Sequence, residues 1–336
     1  MWKPLQPSDV VRLAETGEFA KRQLKAKEKP KPKPKRINLL LWGKPVDDFP
    51  FLTELLEDYR SNPDDFAFFV GAGISSPLFP RWPKLLKEMI AYCGERLDND
   101  VRDELLTNLG RGIDFLNIAS ACHNALGVTN YRQFIEKTFL KRFSLDDVSL
   151  AYRTLFELRP SIIVTTNFDL IPDHLRTSGS LDQSDSKFRS DFYYQVFTHK
   201  NAAEASSSCS RHQPLIFKMH GTATDQDSII FTFEEFRRIM HEKQVATFLN
   251  ALFVLKTVVF IGYSFSDPHI NDILGLLYDV RSGKGRPHYL IGEFSKTQRL
   301  TLENNYEIRV LSYLPSNESH PEVPEFIRLL AEIRER

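Results

Sequence analysis

Four stretches of the 336-residue chain end an apolar, strand-like run in small or polar residues. Gly71-Ala72-Gly73-Ile74-Ser75 follows the run Phe66-Ala67-Phe68-Phe69-Val70. Two glycines one residue apart, before an amphipathic segment, suit a turn that offers backbone N–H groups to a pyrophosphate; an ordinary tight βα turn has the same composition. Thr165-Thr166-Asn167-Phe168-Asp169 offers hydroxyl, amide and carboxylate groups. Thr166, Asn167 and Asp169 suit a ribose and a water, and Asn167 and Asp169 equally suit caps of a following helix. In Lys218-Met219-His220-Gly221-Thr222, a histidine held at a strand end titrates near working pH and suits a general base; a structural histidine is the competing reading. In Gly262-Tyr263-Ser264-Phe265-Ser266-Asp267, Gly262 permits close backbone approach, while Ser264 and Asp267 can bond a ribose or cap a helix.

Groups at the ends of buried runs meet only if those runs lie parallel, because loops at one end of a parallel sheet converge on a crevice. The chain supplies such an alternation. Strands are expected at 37–42, 66–70, 161–166, 192–197, 214–219, 257–261, 288–291 and 308–311. Helices are expected at 49–59, 84–96, 148–158, from 232 to beyond 248, through Ile270, Ile273 and Leu277, and at 325–334. Thr232 and Glu235 have capping-box spacing, and Pro83 suits a helix start. Residues 101–142 read as helical, divided near Gly110 and Gly127, and residues 176–213 as mostly excursion and loop. Strands separated by helical crossovers predict an α/β fold, a mostly parallel sheet covered on both faces, with a helical insert over about 101–145.

Composition narrows the classes. An apolar share of 42% with 26 phenylalanines supports a sizeable folded core. The formal net charge is zero, but residues 21–36 hold nine Lys or Arg against one Glu, a local +8 balanced by −8 elsewhere. Alternating Lys and Pro favour an extended spacer, and nucleic-acid contact is confined to that tract or to a partner. Three dispersed cysteines, Cys93, Cys122 and Cys209, include no CxxC pair; neither a disulfide framework nor a structural zinc site is expected, and no metal. Without an 18-residue apolar stretch or an apolar leader, no membrane association and a cytoplasmic location are expected.

On these motifs the chain resembles the sirtuin-like (SIR2-like) superfamily, in the divergent bacterial branch associated with defence against phage. The resemblance runs from about Asp65 to Tyr313, three quarters of the chain. Gly71, Ala72, Gly73, Ile74 and Ser75 match the GAGxS loop that cradles the NAD phosphates, and Pro80-Arg81-Trp82 resembles the Pro-x-Trp that follows it, which adds Trp82 to the NAD-binding set. Thr166, Asn167 and Asp169 fall in TTNxD, whose Asn and Asp line the nicotinamide-ribose site. His220-Gly221 matches the catalytic His-Gly, and Gly262, Ser264 and Asp267 fall in the GYSxxD signature near the adenosine. The resemblance implies a Rossmann-like, sirtuin-like domain over 65–313, an N-terminal extension over 1–64 and a C-terminal helix over 314–336 packed on the domain. It departs from protein deacylases: the 51 residues from Asp169 to His220 hold only Cys209, so the paired CxxC zinc module cannot form. The implied activity is hydrolysis of NAD+ to nicotinamide and ADP-ribose with Asn167, Asp169 and His220 as catalytic residues. A non-catalytic NAD- or ADP-ribose-binding subunit and an ADP-ribosyltransferase are the alternatives. The implied partners are copies of the chain and a defence protein such as a HerA-type ATPase or a short Argonaute.

Overall fold

A computed structural model describes residues 40–176, 193–264, 268–281 and 285–335. Residues 40–336 form one compact unit, which takes in both the segment 40–64 and the C-terminal helix. The expected strand at 37–42 is not part of the main sheet. Its residues 37–39 fall outside the described set, and Leu40–Leu41 pairs only with Lys44–Pro45, antiparallel. Trp42 and Gly43, at φ 53° and 71°, turn the chain straight back. Trp42 then anchors this hairpin by donating its indole N–H to the Glu322 carbonyl at 2.9 Å.

Seven strands make the sheet: β1 (Phe66–Val70), β2 (Ile162–Thr165), β3 (Gln195–Thr198), β4 (Leu215–Lys218), β5 (Thr257–Ile261), β6 (Tyr289–Gly292) and β7 (Arg309–Ser312). Their spatial order is β3-β4-β2-β1-β5-β6-β7, and every pairing is parallel. Strands buried on both faces read as continuous apolar runs. All five residues of β1 and of β5 are buried. Alternate side chains serve opposite layers: Ala67 and Phe69 join the core on one face, while Phe66 meets Tyr59 edge-on at 5.0 Å on the other.

The helices are α1 (Leu52–Ser61), α2 (Trp82–Cys93), α3 (Asn99–Gly110), α4 (Phe115–Phe139), α5 (Leu150–Leu158), α6 (Ile171–Leu175), α7 (Ala202–Ser210), α8 (Phe233–Met240), α9 (Lys243–Leu255), α10 (Pro268–Arg281), α11 (Lys296–Tyr306) and α12 (Glu322–Glu335). One face carries α1, α5 and α12; the other carries α7, α9 and α10. The residues expected as a helical insert, about 101–145, hold α3 and α4, and α4 changes direction at Gly127, whose φ of 66° and ψ of 170° interrupt the helix. Thr232 and Glu235 form the expected capping box, but α8 stops at Met240 and α9 begins anew at Lys243.

Helix α7 lies where an excursion was expected. Its inward residues are Ala202, Ala205 and Ser208, too small to register as an apolar face. Ser206, Ser207 and Ser210 return their hydroxyls to carbonyls four residues back. Strand β3 begins three residues later than expected. Among the described residues, no helix is long and apolar enough to cross a membrane.

Candidate functional site

The sheet reverses its winding between β1 and β5: β2 lies on one side of β1 and β5 on the other. Crevices at such reversals, beyond the carboxyl ends of the strands, are where α/β folds bind ligands. Both flanking turns carry glycine. The Gly71 N–H donates to the Ile261 carbonyl at 2.9 Å and the Gly73 N–H to the Gly262 carbonyl at 2.9 Å. A Cβ on Gly71 or Gly73 would stand 2.7 or 2.8 Å from the Gly262 oxygen, and one on Gly262, at φ 78°, would stand 2.9 Å from the Ile74 nitrogen. The immediate physical need for these three glycines is therefore the packing of two turns on each other. Their two N–H groups are used by the protein, so any anion cradle uses other donors of the loop.

The carboxyl end of β2 closes the site from the other side. The Thr165 hydroxyl donates to the Val70 carbonyl at 2.8 Å and accepts the Asn167 N–H at 3.0 Å, fixing the turn to β1. Asn167 then directs its Nδ2 to the Gly71 carbonyl at 3.0 Å and to Ser75 Oγ at 2.9 Å. Ser75 Oγ donates to Asp169 Oδ2 at 2.7 Å, while Asp169 Oδ1 accepts the Ile171 N–H at 3.0 Å. Asn167, Ser75 and Asp169 are 7%, 2% and 2% exposed, so this chain of bonds is enclosed. Burial is the main influence on the Asp169 carboxyl and raises its pKa; the Ser75 hydroxyl and Lys218 oppose it. The N-cap of α6 is Leu170, without a side-chain cap bond, so Asp169 is not the cap expected of it; it accepts only the N–H of the first helical residue, Ile171.

His220 follows β4, and Gly221 holds φ 82°, with a hypothetical Cβ only 2.0 Å from the Ser228 carbonyl. The imidazole is 1% exposed and packs edge-on against Phe236 at 5.8 Å. Burial, then the neighbouring His199, pushes its pKa down to about 3. The imidazole is therefore neutral and weakly basic here, and the titration near working pH expected of it is not met, because burial penalises the charged form.

Two cavities adjoin these groups. The first, about 290 Å³, is lined by Ala72, Gly73, Ile74, Trp82, Gly262 and Ser264, among others. The second, about 30 Å³, is lined by Ala72, Ser75, Trp82, Thr166, Asn167 and Asp169, among others. Trp82 and Ala72 stand between the two. The Trp82 ring stacks on Phe231 with centroids 5.4 Å apart and planes 16° from parallel, and Thr166 Oγ1 lies 3.2 Å from the Tyr263 hydroxyl. His220 lines neither cavity, and Asp267 lies outside the described residues.

Further groups reach the larger cavity without having been expected from sequence: Arg81, Glu293, Tyr313, Ser319 and His320. Glu293 follows β6, so the strand-end rule that selected Asn167 could have selected it. Tyr313 and His320, joined at 3.0 Å between the hydroxyl and Nδ1, come from a loop after β7 that carries no comparable signal.

A roomier cavity, about 640 Å³, lies at the opposite end of the sheet, beside Arg159, His212, Lys256 and Arg334. Arg159, Lys256 and Arg334 sit at or just beyond the carboxyl ends of α5, α9 and α12. Three helix ends supply about −0.5 charge each. With Asp64 they offset these cations, so the positive lining serves the helix ends. Among the described residues, no group of three or more His, Cys, Asp or Glu is placed to hold a metal ion. Cys93 and Cys122 are buried thiols and Cys209 is half-buried.

Comparison with known proteins fits this geometry. Residues 161–311 match the family model described as a SIR2-like domain, which takes in the Asn167, His220 and Gly262 turns but not the Gly71 turn. The chain is 27% identical over 251 residues to "NAD(+) hydrolase ThsA" of Acinetobacter baumannii, covering 72% of this chain and 45% of that protein. It is 26% identical to the protein of the same name from Enterococcus faecium, covering 67% and 42%. To that of Bacillus cereus it is 22% identical, covering 78% and 50%. The chain thus spans half or less of the length of these relatives. With its parallel sheet, its glycine-lined crevice and this match, the chain carries a SIR2-like domain and is a distant homologue of the ThsA NAD(+) hydrolases.

Proposed function

We propose that the chain hydrolyses NAD+ to nicotinamide and ADP-ribose, as an effector in anti-phage defence. The observation that carries this reading is the enclosed Asn167–Ser75–Asp169 chain of hydrogen bonds under the Gly71 turn, at the sheet's reversal point. The adenosine end of NAD+ fits the 290 Å³ cavity, close to the lower end of small-molecule sites at roughly 300 Å³. Cleavage of the nicotinamide–ribose bond builds oxocarbenium-like positive charge on the ribose, which fixed dipoles and a carboxylate can stabilise. Both Asn167 amide hydrogens are engaged by the loop, so Asn167 addresses the ribose or the entering water through its Oδ1. Asp169 orients Ser75 and contributes negative charge when ionised. His220 is only weakly basic while buried; it accepts a proton from a ribose hydroxyl or the water once opening of the site hydrates it and restores its ordinary basicity.

The nicotinamide side is too narrow for its ligand in this conformation. A volume of about 30 Å³ suits a water, whose share of liquid is about 30 Å³, and not a pyridine ring. Turnover therefore requires the side chains that line this space, Trp82 and Phe168 among them, to move apart. An enzyme that exhausts NAD+ must be silent until triggered, and a nicotinamide side this narrow supplies that. A self-assembly or a partner, with a HerA-type ATPase or a short Argonaute as candidates, is the proposed trigger. The same narrowness supports a second reading, a subunit that binds NAD+ or ADP-ribose without turnover. Following nicotinamide and ADP-ribose together, with and without a candidate partner protein, separates the two. Stoichiometric release of both supports hydrolysis, labelled protein supports transfer, and binding without release supports the second reading.

A further inference from the structure

Lys218 ends β4, two residues before His220, and its side chain is fully buried. A buried ammonium is costly unless its charge is paired and its three N–H donors are met. Here all three are met: by the Asp169 carbonyl at 2.8 Å, by Asp173 Oδ2 at 2.5 Å and by Thr222 Oγ1 at 2.9 Å. Asp169 belongs to the turn that carries Asn167, and Thr222 to the turn that carries His220. One cation therefore joins the two turns whose groups must act on a single ligand. The Ala223 N–H, donating to the Phe168 carbonyl at 2.8 Å, joins them a second time through backbone. For stability alone, apolar side chains of similar volume in place of the Lys218–Asp173 pair would often serve as well. What a lysine adds is direction: three bonds that fix one turn against the other.

We propose that Lys218 is a positioning residue of this site, holding the Asn167–Asp169 and His220–Thr222 turns in register with Asp173 as its counter-ion. The proposal rests on the reading of those turns as an NAD+-hydrolysing site. It also has an electrostatic consequence. Asp169 is faced by Lys218 from β4, Asp173 from α6, Tyr152 from α5 and Ser75 from the Gly71 turn. Removing the ammonium leaves two carboxylates facing each other, which raises the pH at which Asp169 takes up a proton.

The test compares the full chain with Lys218→Met, Lys218→Arg and Thr222→Val, measuring nicotinamide release, NAD+ binding, melting and amide hydrogen exchange. Lys218→Met is expected to lower kcat at least 100-fold while the Kd for NAD+ stays within about threefold, and to move the acid limb of kcat up by one pH unit or more. Lys218→Arg keeps the charge but not the three-point geometry; it is expected to restore the acid limb and not the rate. Thr222→Val removes one bond at the edge of the network and is expected to lower kcat about tenfold with unchanged melting. A Lys218→Met kcat within threefold of the parent overturns the proposal, as does a rate loss accounted for by the unfolded fraction alone. If Lys218→Met does not fold, an unchanged kcat in Thr222→Val overturns it. If the parent releases no nicotinamide, the hydrolytic reading falls and the tie is judged by exchange. Exchange at least tenfold faster at Ile171 and Ala223, with Gly71 and Gly73 unaffected, supports it; equal exchange at all four overturns it.

Discussion

Asn167 shows how one side chain can be both structural and chemical. Its two amide hydrogens tie the β2 turn to the Gly71 carbonyl and to Ser75, and the carbonyl half is left for a ligand. Asn167→Ala should therefore abolish nicotinamide release, by 100-fold or more, and also cost about 1–3 kcal/mol of stability for the unmet acceptors. A variant that hydrolyses NAD+ at the parent rate would show that the site lies elsewhere. His220 carries a pH prediction. Its folded pKa, about 3, lies below the ordinary value near 6.5, so the unfolded chain binds the extra proton between those two pH values. Stability from this group is complete above about pH 6.5 and falls as pH drops toward 3, because the imidazole must be buried neutral. His199, also depressed by burial, acts in the same direction, and Asp169, raised by burial, acts in the opposite one. Melting measured from pH 7 to pH 4 should fall, and His220→Asn should flatten the slope. An unchanged slope would mean that the imidazole is solvated. Glu293 at the end of β6 lines the larger cavity, and a carboxylate there repels a 2′-phosphate. NADP+ should be turned over at least tenfold less efficiently than NAD+, with Glu293→Gln narrowing the gap; parity in the parent would place the adenosine ribose elsewhere.

The elements explain why the turns are intolerant of change. β1 and β5 end in turns whose backbones touch, and β4 ends in a turn folded over Ser228. A Cβ on Gly221 would meet the Ser228 carbonyl at 2.0 Å in a left-handed conformation. Gly221→Ala should accordingly cost about 1–3 kcal/mol for the strained backbone alone, and more if Ser228 cannot shift. Thermal melting reads this directly, and a variant as stable as the parent would mean that the turn adopts another path. By contrast Gly127, where α4 changes direction, has open space around it and matters only through its φ. The strand-end rule located these elements well: β1 and β5 match their expected bounds, and β2, β4, β6 and β7 lie within one residue or two of theirs. Helix α7 escaped because a face made of Ala202, Ala205 and Ser208 has no hydrophobic contrast to detect. The hairpin at Leu40 escaped because an apolar run signals burial without saying whether a sheet receives it; the buried partner there is α12, reached through Trp42.

At the scale of the whole molecule, residues 40–336 form a unit of their own, so removing residues 1–36 should leave the melting temperature within about 2 °C and alter assembly if it alters anything. Size analysis beside melting checks both. The sequence by itself determined the alternation of strands and helices, the parallel sheet and the identity of the turns at its carboxyl edge, because buried parallel strands and glycine turns leave local signatures in residue type and spacing. Only the tertiary structure decided which groups meet. Lys218 reads as one polar residue ending an apolar run, and nothing local says that its ammonium reaches Asp169, 49 positions away. Nothing local says that Trp82 lies on Phe231, or that His220 is enclosed beside His199 and Phe236. Those contacts are made by residues far apart in the chain and brought together by the crossovers, and they set the size of the cavity and the protonation of His220.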